Sequence, residues 1–244
     1  MRASLADQDD GQLSCLAAAV AQALQRPDSL AIALGANLPS PAGEPADTLL
    51  AVRPLLEQML QRWAQASLLF RWSPLLQTAP VGGPPGQRPY SNGVLLVELP
   101  AALAVTGAME VSAPQGWARP EGWARAALDV LQGLQQLEAQ FGRPPQPERQ
   151  HWGPRSLDLD LLWWGELELD WPATAATPAL QLPHPLWRQR SFVLEPLATL
   201  LPAEPADRPA LSLPAQSLPA QNLPAQRLPA QSLRDARNGL TGTS

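Results

Sequence analysis

Residues 155–161 read Arg-Ser-Leu-Asp-Leu-Asp-Leu, and this stretch decides the fold. Apolar and acidic residues alternate along it with the two-residue period of a β-strand. That period sends the three leucines to one face of the strand and Asp158 and Asp160 to the other. We therefore predict a strand over 156–164 with one face in the core and two neighbouring carboxylates on the opposite face.

The segments on either side of this strand complete a β-α-β-β-α-β order. The apolar periodicity predicts strands at 29–34, 68–76 and 93–99, helices at 47–66 and 120–141, and a further helix near 187–200. This order is typical of a ferredoxin-like α/β sandwich, an α+β fold in which helices pack on a mainly antiparallel sheet. Prolines and glycines predict a long loop at 77–92, a candidate substrate wall, and a loop insertion at 101–120.

The two ends of the chain differ in composition from its middle. Apolar residues from Leu13 to Leu24 recur at helical spacing, which predicts a short helix within an N-terminal extension, residues 1–28. Residues 213–232 repeat Leu-Pro-Ala-Gln plus one variable residue, and such regular proline prevents a packed helix or a central strand. We predict a folded domain over 29–205 and a disordered, low-complexity tail over 206–244.

The composition excludes several classes of function. All 17 basic residues are Arg, which excludes a lysine-dependent phosphate loop or Schiff base. One Cys and two His cannot build a zinc cluster within one chain, so a metal site here would use carboxylates and suit Mg²⁺. The net charge of -5 opposes a broad nucleic-acid surface. Short, interrupted apolar stretches and an acidic N-terminal segment lead us to expect a soluble cytoplasmic protein that does not bind membranes.

The paired aspartates are the candidate centre of the chemistry. Two like charges on one strand face repel, and a divalent cation between them would turn that repulsion into a binding site. A solvated acidic face is the alternative explanation for Asp158 and Asp160. The run His-Trp-Gly-Pro-Arg at 151–155 places an aromatic ring and a guanidinium just upstream, and Arg143 and Arg149 precede it. Arginine forks suit phosphate oxygens, although either of the last two could be an ordinary surface charge.

Six motifs follow one another in a recognisable order along the predicted domain. They are Ala-Leu-Gly-Ala-Asn-Leu at 33–38, Thr-Ala-Pro-Val-Gly at 78–82, Pro-Tyr-Ser-Asn at 89–92, Leu-Glu-Ala-Gln-Phe-Gly-Arg at 137–143, Trp-Gly-Pro-Arg-Ser-Leu-Asp-Leu-Asp at 152–160 and Leu-Pro-His at 182–184. Through them the chain resembles the 6-hydroxymethyl-7,8-dihydropterin pyrophosphokinase family. The resemblance implies transfer of the β,γ-diphosphate of ATP onto a reduced pterin, giving AMP and the pterin diphosphate in folate biosynthesis.

The resemblance also implies roles for individual residues in a monomer whose partners are ATP and the reduced pterin. The expected catalytic residues are Asp158, Asp160, Arg143 and Arg155, and the two aspartates would hold two Mg²⁺ ions on the ATP phosphates. The expected pterin-binding residues are Thr78, Val81, Tyr90, Asn92 and Phe192, with the two rings stacked on the ligand. The expected ATP-binding residues are Gln135, Glu138, Arg143, Arg149, Trp152, Arg155, His184 and Arg190.

The chain departs from the family pattern in two places. Pro185 stands where an aromatic residue usually follows the histidine, and the loop between Arg143 and Trp152 is longer than usual. The second departure leaves the assignment of Arg149 to phosphate ambiguous. Two other functions stay open at this point: an RNA-recognition module with the same order of elements, and a pterin binder that has lost diphosphate transfer.

Overall fold

The computed structural model describes residues 5–106, 120–144, 152–173, 178–202 and 216–217. Arg149, most of the predicted 101–120 insertion and most of the predicted tail lie outside these residues. The helices are α1 (Leu5–Leu24), α2 (Pro45–Ala64), α3 (Pro120–Gln140) and α4 (Ser191–Ala198). The strands are β1 (Ser29–Ala36), β2 (Leu69–Trp72), β3 (Leu76–Thr78), β4 (Tyr90–Glu98), β5 (Asp158–Trp164), β6 (Leu169–Trp171), β7 (Leu180–Leu182) and β8 (Gln216–Ser217).

The main sheet has the strand order β5-β1-β4-β3-β8, and β2 also pairs with β4. Every pairing within it is antiparallel. The first four strands of this order, β5-β1-β4-β3, are arranged as in a ferredoxin-like sandwich, in which the first strand lies between the last and the third. The predicted α+β fold is therefore confirmed, and β6 and β7 form a separate hairpin.

Three details of the predicted elements were wrong. The strand expected at 68–76 is two strands, because Pro74 between them has no N–H to donate to a ladder. β4 begins at Tyr90, three residues before the expected start, so the loop expected at 77–92 shrinks to 79–89. The hairpin of β6 and β7 was missed because three-residue strands are too short to show a period.

Helices cover both faces of the sheet. One core lies between the sheet and α2 and α3, and it contains Leu56, Leu134 and Leu159. A second core lies on the opposite face, where α4 packs against β4 and α1 packs against α4, and it contains Val20 and Leu194. The N-terminal helix, which begins earlier than Leu13, thus packs on α4 as part of the folded domain. Within the part of the chain that the structure describes, no helix combines the length and apolarity that a membrane span requires.

Candidate active site

A cavity of about 420 Å³ opens on the sheet face that carries α1 and α4. Its floor is set by strand register: Gly35 of β1 lies opposite Asn92 of β4 on one side and Asp158 of β5 on the other. Ala33 lies opposite Asp160 in the same way. Small residues on the central strand leave the space open, since a Cβ atom on Gly35 would approach the Asn92 Oδ1 atom to 3.0 Å.

The two aspartates line this cavity together, while Leu159 between them is buried in the first core. Arg155 Nη1 donates to Asp158 Oδ2 over 2.7 Å, and Arg143 forms a second ion pair with Asp158. Arg190 Nη1 lies 3.2 Å from Asp160 Oδ2. Three guanidinium groups therefore surround the carboxylate pair.

The surroundings move the two pKa values in opposite directions. Burial raises the pKa of Asp160 to about 6, and the neighbouring charge of Asp158 adds to the rise. Burial also acts to raise the pKa of Asp158, but Arg143 and Arg155 together outweigh it and leave that pKa below its ordinary value. Asp158 is consequently ionised at neutral pH. Asp160 is the carboxylate whose charge its surroundings compensate less well.

Arg143 also forms an ion pair with a buried carboxylate of α3. Glu138, in the last turn of α3, is 3% exposed, forms an ion pair with Arg143 and accepts a hydrogen bond of 2.9 Å from the Leu159 N–H. Glu138 thus connects α3, the arginine and β5. Neither Glu138 nor Gln135 lines the cavity, although the sequence predicted contacts with ATP for both.

Two aromatic rings and an amide lie in the same cavity as the carboxylates. Tyr90 at the start of β4 and Phe192 at the start of α4 both line the cavity. Asn92 Nδ2 donates to Thr78 Oγ1 over 2.7 Å, which fixes the orientation of the amide. The Arg190 guanidinium carbon lies 5.5 Å from the centroid of the Phe192 ring. A flat heterocycle between these groups would meet ring faces and an amide edge.

Gln87 joins the loop 79–89 to Asn37, Trp152 and Tyr90, and no pattern in the sequence predicted this role. Its Nε2 atom donates to the Gly82 and Trp152 carbonyl oxygens, each over 3.2 Å. Its Oε1 atom accepts from Asn37 Nδ2 at 3.4 Å and lies 3.2 Å from the Tyr90 hydroxyl, which donates to it. A lone glutamine in a proline- and glycine-rich loop carries no periodic signal, so sequence alone offered nothing to identify it.

Asn37 extends this connection to Arg155. The side chain of Asn37 is fully buried, and its Oδ1 atom accepts from the Arg155 N–H over 2.8 Å. The Asn37 N–H in turn donates to the Arg155 carbonyl oxygen over 2.9 Å. Arg88 and Glu44 add an exposed ion pair of 2.8 Å between the loop and the start of α2. The walls of the cavity are therefore joined by a small number of polar contacts.

His184 lines the cavity as a neutral group. Burial, with Arg190 nearby, lowers the pKa of His184 to about 4. The Leu186 N–H donates to His184 Nδ1 over 3.1 Å, which assigns the proton of the neutral ring to Nε2. The ring can therefore donate a hydrogen bond from Nε2 without carrying a positive charge.

A second cavity, of about 330 Å³, adjoins the first and shares Asp160 and His184 with it. The other residues that line it are Leu131, Leu159, Leu161, Asp170, Trp171, Ala179, Leu180, Gln181 and Pro185. Several of these residues belong to the hairpin of β6 and β7 that the sequence analysis missed. A ligand extending from one cavity to the other would pass the carboxylate pair.

The structure brings most of the sequence-predicted site into the larger cavity. The predicted residues that line it are Thr78, Val81, Tyr90, Asn92, Arg143, Trp152, Arg155, Asp158, Asp160, His184, Arg190 and Phe192. Residues that line it without having been predicted include Pro80, Gln87, Leu186 and Gln189. Arg149 lies outside the described residues.

A family model described as 7,8-dihydro-6-hydroxymethylpterin-pyrophosphokinase, HPPK, matches residues 123–202. The 2-amino-4-hydroxy-6-hydroxymethyldihydropteridine pyrophosphokinase of Pseudomonas aeruginosa is 34% identical over 171 residues, which cover 70% of this chain and 79% of that protein. The chain belongs to the HPPK family. The family assignment and the pyrophosphokinase function predicted from the motifs are thereby confirmed.

Two further relatives match a shorter segment of this HPPK-family chain. The pyrophosphokinase of the same description from Synechocystis is 40% identical over 74 residues, 30% of this chain and 33% of that protein. The corresponding Bacillus subtilis protein is 36% identical over 72 residues, 30% of this chain and 38% of that protein.

Proposed function

We propose that this chain transfers the β,γ-diphosphate of ATP to the hydroxymethyl group of a reduced pterin at the larger cavity, releasing AMP. One observation carries the proposal: Asp158 and Asp160 face the same cavity as Tyr90, Asn92 and Phe192. Phosphate-binding groups and a slot for a flat heterocycle are therefore adjacent, as an in-line transfer between two bound substrates requires.

The carboxylate pair fits Mg²⁺, and we propose that Asp158 and Asp160 hold two such ions together with ATP. Mg²⁺ prefers carboxylate and phosphate oxygens. Burial, and after it the charge of Asp158, raise the pKa of Asp160, so added positive charge beside this carboxylate would be favourable. When bound, the ions would neutralise charge on the transferring phosphates.

Arg143, Arg155 and Arg190 are proposed to bind the phosphates. In the structure each of them contacts one of the aspartates, so the three guanidinium groups already stand at the point where polyphosphate would lie. A guanidinium has five N–H donors, which allows it to contact a carboxylate and a phosphate together. Neutral His184 adds a donor without adding charge.

The pterin is proposed to stack between Tyr90 and Phe192 and to present its polar edge to Asn92. Thr78 orients the amide of Asn92, as their 2.7 Å hydrogen bond indicates. Val81 is 70% exposed and contributes apolar surface to the same cavity, which a bound ring would cover. Stacking and edge recognition together favour a planar, hydrogen-bonding ligand.

The second cavity is proposed to take the nucleoside part of ATP. Its lining is about equally polar and apolar, which suits a base with a flat face and polar edges, and it meets the first cavity at Asp160 and His184, where the phosphates would cross. Trp152 is 51% exposed and lines the first cavity, and we propose that it contacts ATP. The ATP contacts of Gln135 and Arg149 stay predictions. We propose that Glu138 positions Arg143 and does not contact ATP itself.

Asp158 is proposed to position the metal-bound phosphates and not to remove the proton of the pterin hydroxyl. The arginines lower its pKa, and a carboxylate with a lowered pKa is a weak proton acceptor at neutral pH. Proton release would then depend on the metal-bound phosphates and on solvent. The residues of the site thus contribute mainly position and charge.

The direct test is incubation of the protein with ATP, MgCl₂ and 6-hydroxymethyl-7,8-dihydropterin, followed by quantification of AMP and the pterin diphosphate. Equal amounts of the two products are expected. Pterin binding without AMP would favour a pterin binder that has lost catalysis. Salt-sensitive retention of RNA without AMP would favour the RNA-recognition module.

We further propose a cytoplasmic monomer that does not depend on nucleic acid or membrane. Sedimentation at micromolar concentration tests the oligomeric state, and a species larger than one chain that dissociates together with loss of activity would contradict the monomer.

A further inference from the structure

The N-terminal helix packs against the back of one cavity wall. Val20 and Leu24 of α1 belong to the second core, and so do Val193 and Leu194 of α4. Val20 is fully buried and Leu24 is 3% exposed. The helix is therefore a part of the folded domain on the face that carries the cavity.

The segment 187–194 turns alternately toward that core and toward the cavity. Trp187 is buried, with its ring centroid 5.1 Å from that of Trp163, whereas Arg190 lines the cavity and Phe192 lies between core and cavity and contacts both. Val193 then returns to the core. A shift of the core-facing side chains would therefore move the two cavity-facing side chains with them.

A polar contact joins the same segment to the end of α1. Arg188 Nη2 donates to Gln25 Oε1 over 3.2 Å, and the Arg188 guanidinium carbon lies 4.6 Å from the centroid of the Trp187 ring. Gln25 directly follows the last residue of α1. The helix thus contacts both the apolar side and the outer side of the segment.

This segment depends on tertiary packing for its conformation, and both β4 and α1 pack against α4. The turn Trp187–Gln189 has three residues and α4 has eight, and helices of such length are unstable without tertiary packing. The α1–α4 layer also ends at the cavity: along β1, Ala31 is buried in the second core, whereas Ala33 and Gly35 line the cavity. The edge of this layer is the wall that carries Phe192.

We infer that α1 is a positioning element of the active site, which holds Arg190 and Phe192 against the cavity through Val20, Leu24 and Gln25. The inference rests on the proposed function, because it is that function which gives Arg190 and Phe192 their ligands. In this role α1 affects substrate binding through the 187–194 segment and touches no substrate itself.

The test compares two leucine-to-alanine variants in helices on opposite faces of the sheet. Leu24→Ala weakens the packing of α1, and Leu60→Ala, a fully buried position in α2, removes the same side chain from the other core. Pterin KM and kcat are measured well below the melting temperature of each variant. We expect Leu24→Ala to raise pterin KM about five- to tenfold, since misplaced binding groups cost affinity steeply, and Leu60→Ala to change it less than about twofold.

A second variant leaves the core intact. Gln25→Ala removes the acceptor of Arg188, and a rise in pterin KM of about twofold is expected, while Gln25→Glu keeps an acceptor oxygen and should restore the wild-type value. Equal KM changes in Leu24→Ala and Leu60→Ala at equal loss of melting temperature would overturn the inference, because α1 would then be only a source of stability.

Hydrogen exchange separates this inference from the proposed function. In Leu24→Ala we expect faster amide exchange within residues 187–198 than in wild type, with the strands of the floor unchanged. If wild type forms no AMP but this exchange pattern appears, the proposed function fails and the positioning by α1 stands. If exchange in 187–198 does not change, the inference fails whatever the activity.

Discussion

The floor of the larger cavity and its loop wall are built by different means. Asn92, Asp158 and Asp160 project from paired strands, so their spacing follows from antiparallel register on either side of β1. The loop 79–89 is held to Asn37 and Trp152 by the side chain of Gln87, and the Arg88 carbonyl oxygen accepts a further hydrogen bond of 3.2 Å from Asn37 Nδ2. The groups that carry the chemistry are thus fixed by backbone ladders, whereas the wall around the ligand depends on a few side-chain contacts.

Removing a carboxylate from the floor should have the largest effect. Asp158→Ala or Asp160→Ala is expected to lower AMP formation by about 10³-fold, since a preorganised charge is lost where the phosphates react. Pterin affinity in the absence of nucleotide should change less than about threefold, because ring stacking uses other groups. Product analysis and fluorescence titration measure the two effects.

Asp129→Ala serves as the matched control, because Asp129 is a half-exposed partner of Arg125 on α3 and lines neither cavity. It should retain wild-type turnover. Full activity in either Asp158→Ala or Asp160→Ala would remove the metal assignment.

Removing a ring at the border between floor and wall should have the next largest effect. Tyr90→Ala is expected to weaken pterin binding by about 10- to 100-fold, the range that stacking of a base on an aromatic side chain provides. Tyr90→Phe keeps the ring and loses only the hydroxyl, so its affinity should stay within about threefold of wild type. If the two variants bind pterin equally, stacking on Tyr90 is not the basis of recognition.

Releasing the loop should have a smaller effect than removing the ring. Gln87→Ala eliminates hydrogen bonds to Gly82, Trp152 and Asn37, and we expect a three- to tenfold loss of pterin affinity, given about 0.5–1.5 kcal/mol for a typical hydrogen bond. Exchange of the amides of the 79–89 loop should accelerate while those of β1 and β4 do not. An unchanged loop would show that other contacts hold the wall.

A stability measurement tests the charge balance of the floor. The pKa of Asp160 is raised from 3.8 to about 6 by burial and by Asp158, so the folded protein binds this proton more readily than the unfolded chain. Stability is consequently lost as the pH rises from about 4 to 6, and the loss is complete above pH 6. Asp160→Asn, without that charge, should melt at a higher temperature than wild type at pH 7.

The same comparison has a built-in control at low pH. Below about pH 3 the side chain of Asp160 is largely protonated in both folded and unfolded wild type, so the melting temperatures of wild type and Asp160→Asn should converge. At that pH residue 160 is uncharged in both proteins, so neither contains repulsion between residue 160 and Asp158. A constant difference across the whole pH range would show that Asp160 does not carry the unfavourable charge.

The tail should matter least. β8 pairs with β3 through Leu76 opposite Ser217 and Gln77 opposite Gln216, so deletion of residues 211–244 removes one two-residue strand from the sheet edge. We expect the melting temperature to fall by about 3 °C or less and turnover to stay within about twofold, because so short a strand buries little. A larger loss of stability would place the domain boundary beyond residue 205.

Much of the fold and of the floor could be predicted from the sequence because both follow from periodicity. The alternation around Asp158 and Asp160 fixed their shared face, and the apolar segments predicted the β-α-β-β-α-β order that the sheet confirms. The division of the 68–76 segment at Pro74 was missed because the apolar residues on both sides of the proline appeared to form one run. That prediction gave more weight to the apolar pattern than to the N–H group that a proline lacks.

The rest of the site depends on contacts between residues far apart in the chain. Gln87 bonds to Asn37 and Trp152, which lie 50 and 65 positions away, and no local pattern encodes such pairs. The second cavity depends on a hairpin of two three-residue strands, too short to show a period. The packing of α1 on α4 likewise became visible only once both were placed on the same face of the sheet.

In the proposed mechanism the carboxylate pair joins the two substrates through bound Mg²⁺, and calorimetric titration of the pterin measures this coupling. We expect pterin affinity to rise by about tenfold or more when Mg²⁺ and a non-hydrolysable ATP analogue are both present, and not when either is omitted or when Asp160 is replaced by Ala. Equal pterin affinity under all of these conditions would contradict the proposed mechanism.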